Sequence, residues 1–233
     1  MIFQSPKIVL LLACLCVGSA PSALQAADSK SPLIAAPPKT LMAAPALTSL
    51  PGLEGPVPVL NEKQTIRMHT SNGDIVIEVY PAAAPHAVQR FVELVKNGFY
   101  NNTPVSRVVP GFVAQFGINW RPQYKTWENK FFKDDVTKFA LERGTLAFAK
   151  AGADTNATQV FINYADNNRL AVRMYNFTTF GKVVTGMEVV DSFADVGEPG
   201  MGLDQDRLWK DGDAYLNSLA QKPTMIISAE LVK

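Results

Sequence analysis

From Thr65 onward the apolar residues come in short runs with strand-like alternation, and clusters of Gly, Asn and Asp separate one run from the next. A run of that length buries one face only, so it must pair with its neighbours into a sheet. Thr65–His69 and Asp74–Tyr80 alternate and are joined by Ser71-Asn72-Gly73, where Asn-Gly is expected to supply the positive φ angles of a tight hairpin. Further β-rich runs are read at Pro104–Gly117, Gly144–Lys150, Val160–Tyr164 and Thr178–Val184, and Met225–Val232 closes the set. Two segments break the pattern. Val88, Phe91, Val92 and Val95 follow Pro85 at the spacing of one helical face and end at Asn97-Gly98, and a second helix is predicted over Met187–Ala194. Many short strands with few helices predict a mainly β fold, a closed antiparallel barrel.

The first sixty residues are of another kind. Residues 1–26 read as a secretory signal peptide: Lys7 precedes an apolar core from Ile8 to Val17, and the small residues around Ala26 suit cleavage. Leu11-Leu12-Ala13-Cys14 also fits a bacterial lipobox, which would tie the protein to a membrane through an acylated Cys14. Residues 27–60 are rich in Pro and Ala and read as a linker, so the folded domain spans 61–233. Cys14 and Cys16 are the two cysteines, so a chain cut after Ala26 holds no disulfide, thiol nucleophile or cysteine-bound metal. Export without cysteines points to the bacterial periplasm or secretion. The same cut leaves 21 basic against 21 acidic residues with no basic run, which argues against nucleic acid as a partner. His69 and His86 stand far apart, so no metal is expected; no nucleotide or nucleophile motif implies a cofactor. Residues 195–222 are read as a solvated surface insertion with room for a short helix within Leu203–Ala220; their Asp204, Asp206, Asp211 and Asp213 do not match a calcium-loop spacing.

The chemistry is concentrated in Val105-Ser106-Arg107-Val108-Val109-Pro110-Gly111-Phe112-Val113-Ala114-Gln115, echoed by Phe148-Ala149-Lys150 and Gln159-Val160-Phe161. Gln115 lies eight residues beyond Arg107, which a period of two places on the same face of one strand. The ordered set, running from about residue 65 to the C-terminus, resembles the cyclophilins. That resemblance implies an eight-stranded antiparallel barrel capped by two α-helices, with a groove on the outer wall, and peptidyl-prolyl cis-trans isomerase activity. It also implies Arg107 and Gln115 as the catalytic pair, Phe112, Val113 and Phe161 as the proline pocket with Leu170 on its rim, and Ala149, Lys150 and Gln159 along the groove for preceding residues. Phe177 stands where the family frequently has a histidine.

Such a pocket needs no covalent chemistry. Rotation about the bond before proline crosses a barrier of about 18–20 kcal/mol because the twisted amide loses its resonance. A fixed, permanently charged donor that favours the twisted state over the planar one is sufficient. The partners implied are proline-containing unfolded or exported polypeptides. Departures from the family pattern at Arg169, Lys150, Phe177, Ser106 and Val113 predict altered rate and ligand preference, including weakened binding of cyclosporin-type macrocycles. The alternative function is a proline-segment binding module or holdase chaperone with little turnover.

Overall fold

The computed structural model describes residues 63–171 and 176–232. The signal segment, the linker and both cysteines lie outside the described residues. Eight strands close a barrel in the order β1-β2-β7-β5-β6-β4-β3-β8, with β8 pairing back onto β1 and every pairing antiparallel. They are β1 Gln64–Thr70, β2 Gly73–Val79, β3 Thr103–Val109, β4 Val113–Phe116, β5 Thr145–Phe148, β6 Val160–Asn163, β7 Gly181–Thr185 and β8 Met225–Val232. The fold class read from the residues is the one observed.

Alternation fills the inside. Ile66 and Met68 of β1, Ile75, Ile77 and Val79 of β2, Val108 of β3, Ala114 of β4, Leu146 of β5 and Ile162 of β6 share one buried cluster with Phe91 and Phe180. A packed interior leaves only the outer wall for a ligand. The opening hairpin pairs Thr70 with Gly73 across a two-residue turn. Of the expected Asn-Gly pair, only Gly73 takes a positive φ, at 133°. Asn72 instead uses its side chain: Nδ2 donates to the Ser192 carbonyl at 2.8 Å, and its Oδ1 accepts from Thr224 at 3.2 Å.

The helix α1, Pro85–Lys96, covers one mouth of the barrel with Val88, Phe91, Val92 and Val95 buried. Its first turn has no local cap. The Asp135 carboxylate reaches it from 48 residues away and accepts from the backbone N–H of His86 at 3.2 Å and Ala87 at 2.9 Å. α2 is shorter than predicted, Met187–Asp191, and ends on a turn at Ser192.

Two expectations fail here. The run Pro104–Gly117 is not one strand: Gly111, at φ 71°, turns the chain so that β3 and β4 form a hairpin. The 195–222 stretch holds the short helix that the sequence left room for, but that helix is packed rather than solvated. α3, Gln205–Ser218, buries Leu208, Tyr215 and Leu216 against Ile118, Val196 and Leu203, with Trp120 and Trp209 at the margin. The buried face keeps helical spacing through a kink at Gly212, where φ is 48° and ψ −115° and where glycine takes the place of an apolar side chain. A Cβ at Gly212 would lie 2.1 Å from Trp120. Gly212→Ala is therefore expected to cost roughly 3 kcal/mol by strain and overpacking, which is a fall of roughly 6–12 °C in Tm. A thermal scan reads this directly, and a Tm within 1–2 °C of the parent would show that α3 does not rest on Trp120.

Candidate active site

Strand register places the expected residues side by side. Arg107 of β3 lies opposite Gln115 of β4, Gln115 opposite Phe161 of β6, and Phe161 opposite Ala147 of β5. This is one continuous row across four strands. The next row, Val108, Ala114, Ile162 and Leu146, points into the barrel core, so the Arg107 row faces outward by alternation. Arg107 and Gln115 thus share a face as cross-strand partners, not as residues eight apart on one strand.

A second apolar cluster sits on that outer row, separate from the barrel core. Val113, Ala147, Ala149, Phe161, Leu170 and Phe177 belong to it, together with Leu141 and Ala171, and Phe112 packs against them half-buried. The Phe161 and Phe177 rings meet edge-on at 5.4 Å and 83°. Leu141, Ala147 and Ala171 were missed in the sequence, because Leu141 and Ala171 lie in loops and a small residue on a strand, such as Ala147, carries no sign of the face it lines. Asn167, also missed, holds the rim: its Nδ2 donates to the Phe112 carbonyl at 3.0 Å and to Asn163 Oδ1 at 2.8 Å.

Arg107 lies at the edge of this cluster with its guanidinium 6.0 Å from the Phe112 ring centre. It is 7% exposed, and burial pushes its pKa down from the ordinary arginine value. Its Nε donates to the Gly200 carbonyl at 2.8 Å, while Nη1 is buried and without a partner among the described residues. The expected orienting bond from Gln115 to Arg107 is not made. Gln115 Nε2 donates instead to Gln159 Oε1 at 2.8 Å, and its own Oε1 is buried and unpaired. Each such buried unpaired atom costs about 1–3 kcal/mol, which a ligand group that pairs with it returns.

Gly200 was not foreseen. It belongs to the segment Gly197–Leu203, whose backbone crosses β3: Leu203 N donates to the Ser106 carbonyl at 2.8 Å. A Cβ on Gly202 would come within 2.7 Å of Arg107 Cα, so the approach requires glycine. The spacing of Gly197, Gly200 and Gly202 is the trace of this device in the sequence.

Lys150 does not serve the groove with its charge. Its ammonium is 5% exposed and donates to Asp134 Oδ2 at 2.6 Å and to the Asn176 carbonyl at 3.0 Å, and Asp134 also accepts from Asn156 at 2.6 Å. The departure at Lys150 is thus a tie between loops. Arg169, by contrast, is exposed and its guanidinium stands 5.5 Å from the Phe112 ring centre, on the rim.

With this arrangement in view, the comparisons with known proteins are decisive. The family described as Cyclophilin type peptidyl-prolyl cis-trans isomerase/CLD matches residues 65–210. The chain belongs to the cyclophilin family. It is similar to peptidyl-prolyl cis-trans isomerase B of Escherichia coli K12, with 37% identity over 149 residues that span 60% of this chain and 90% of that protein. A peptidyl-prolyl cis-trans isomerase of Acinetobacter baylyi is 35% identical over 170 residues, 71% of this chain and 84% of the relative. Among solved structures, a Cryptosporidium parvum cyclophilin-type isomerase crystallised in the presence of the dipeptide Ala-Pro superposes with a TM-score of 0.55 at 21% identity. That match covers 73% of this chain and 99% of the other, and it speaks for the fold. As a cyclophilin, the protein is a peptidyl-prolyl cis-trans isomerase.

Proposed function

We propose that this cyclophilin accelerates rotation about Xaa-Pro bonds in exported polypeptides during their folding, with Arg107 as the electrostatic catalyst. The observation that carries this reading is the placement of Arg107. One nitrogen is tied back to Gly200, another is buried and unpaired, and the group stands beside the apolar cluster of Phe112, Val113, Phe161 and Phe177. The apolar residues hold the pyrrolidine ring and keep water from the reacting imide. In the planar imide the nitrogen lone pair is delocalised into the carbonyl; at the twisted geometry it is localised and basic. A donor aimed at that nitrogen therefore binds the transition state better than either planar isomer. Because no bond is made or broken, the residues need only position and charge.

Ala149 and Gln159 fit the stretch of groove beside the slot, and Leu170 its rim. Substrates are proline-containing unfolded chains. Cyclosporin-type macrocycles bind weakly in this reading, because Arg169 stands at the rim beside Phe112. The export assignment rests on the charge and apolar pattern of residues 1–26 and the cysteine-free remainder of the chain. Membrane attachment follows only if Cys14 is acylated.

Arg107→Ala is expected to lower kcat/KM by about a hundredfold, the scale of losing one transition-state donor, with Arg107→Lys recovering little because an ammonium lacks the fork. Exchange spectroscopy between the cis and trans peaks of an Ala-Pro peptide measures it; equal rates for parent and alanine variant would contradict the role given to Arg107. Export is checked by intact-mass analysis of protein recovered from a bacterial envelope fraction. The expected mass begins at Ala27, a lipidated Cys14 would shift the assignment to the membrane, and an uncut Met1 terminus in the cytosol would overturn it.

A further inference from the structure

A row of three amides runs along the site, and its last member, Gln205, has no part in the isomerase reading given above. Gln115 Nε2 donates to Gln159 Oε1 at 2.8 Å, and Gln159 Nε2 donates to Gln205 Oε1 at 3.2 Å. The row starts beside Arg107, since Gln115 is its cross-strand partner. Each bond points the same way along the row, so Gln205 is engaged through its Oε1 and its Nε2 is left over. Gln205 is half-buried, and no bond from that Nε2 to a described residue is made.

Gln205 is also held in place from several sides. It is the first residue of α3, and the preceding Asp204 caps the helix by accepting from Arg207 N at 3.0 Å. Asp204 N donates to the Tyr215 hydroxyl at 3.0 Å, and Leu203 N to the Ser106 carbonyl at 2.8 Å. The same segment that ties back Arg107 through Gly200 therefore delivers Gln205 to the groove. Two side-chain amide links join the ends of the row, a span of at most about 10 Å, which an extended peptide covers in about three residues.

We propose that Gln205 is a substrate-binding residue, whose outward amide N–H donates to a main-chain carbonyl of an extended polypeptide two or three residues from the proline. This rests on the groove reading given above, and it makes the α3 segment part of the recognition surface.

The test compares a short blocked Ala-Pro-Ala peptide with the same core extended by three alanines on each side, and reads the ratio of kcat/KM, extended over short. Two variants separate binding from scaffolding. Gln205→Ala removes the amide, whereas Gln205→Glu keeps an acceptor for Gln159 Nε2 and replaces the outward donor with a charged oxygen that repels a main-chain carbonyl. Both are expected to lower the ratio about fivefold, the scale of one neutral hydrogen bond, with the loss carried by KM. A ratio that matches the parent in both variants overturns the proposal, and so does a fall in Gln205→Ala that Gln205→Glu restores, since that outcome marks a purely structural tie. Arg107→Ala, run alongside, lowers kcat/KM on both peptides; if it does not, the groove reading itself fails, independently of Gln205.

Discussion

A buried guanidinium tied to a single backbone carbonyl is the interaction on which the rest of this molecule turns. Removing an arginine from water costs several kcal/mol unless its donors are met, yet Arg107 is 7% exposed with one nitrogen bonded and another unpaired. Such a group stays in place only because its surroundings leave it nowhere else to go. Phe112 covers it on one side, β4 flanks it in register, and the Gly197–Leu203 segment closes over its backbone. The unmet nitrogen is then held ready for a group that arrives with the substrate.

The fold supplies this arrangement through two cores. The barrel interior is filled by the inward residues of its strands, which fixes the register and so lines up Arg107, Gln115, Phe161 and Ala147 on the wall. The second core, beneath α3, holds Leu203 and Val196 next to Ile118, and through them the segment that carries Gly200. One core sets where the guanidinium emerges; the other sets which way it points.

Much of this was legible in the residues. Strand alternation, the Pro85 helix and the closing strand follow from local chemistry, and the reading of the hairpin survived an error about which residue takes the positive φ. Arg107 and Gln115 were placed together for the wrong reason, because Pro110-Gly111 was read as part of a strand when it turns the chain. Local pattern could not show the long-range partners: Asp135 capping a helix 48 residues before it, Lys150 paired with Asp134, Gly200 behind Arg107. Room for α3 was legible in Leu203–Ala220, but its burial was not. Its Gly, Asp and Lys residues read as solvated, and a face of only Leu208, Tyr215 and Leu216, with glycine between them at Gly212, is thin evidence for a packed helix.

The account stands on the guanidinium being fixed before substrate arrives, and nitrogen-detected NMR of the arginine side chains observes this most directly. The Arg107 Nε–H, assigned by its loss in an Arg107→Lys sample, should give a sharp, slowly exchanging resonance with a coupling across the hydrogen bond to the Gly200 carbonyl carbon. Its Nη signals should move when an Ala-Pro peptide is added. An Nε–H resonance that exchanges as fast as those of exposed arginines, shows no coupling to Gly200 and ignores the peptide would contradict the account.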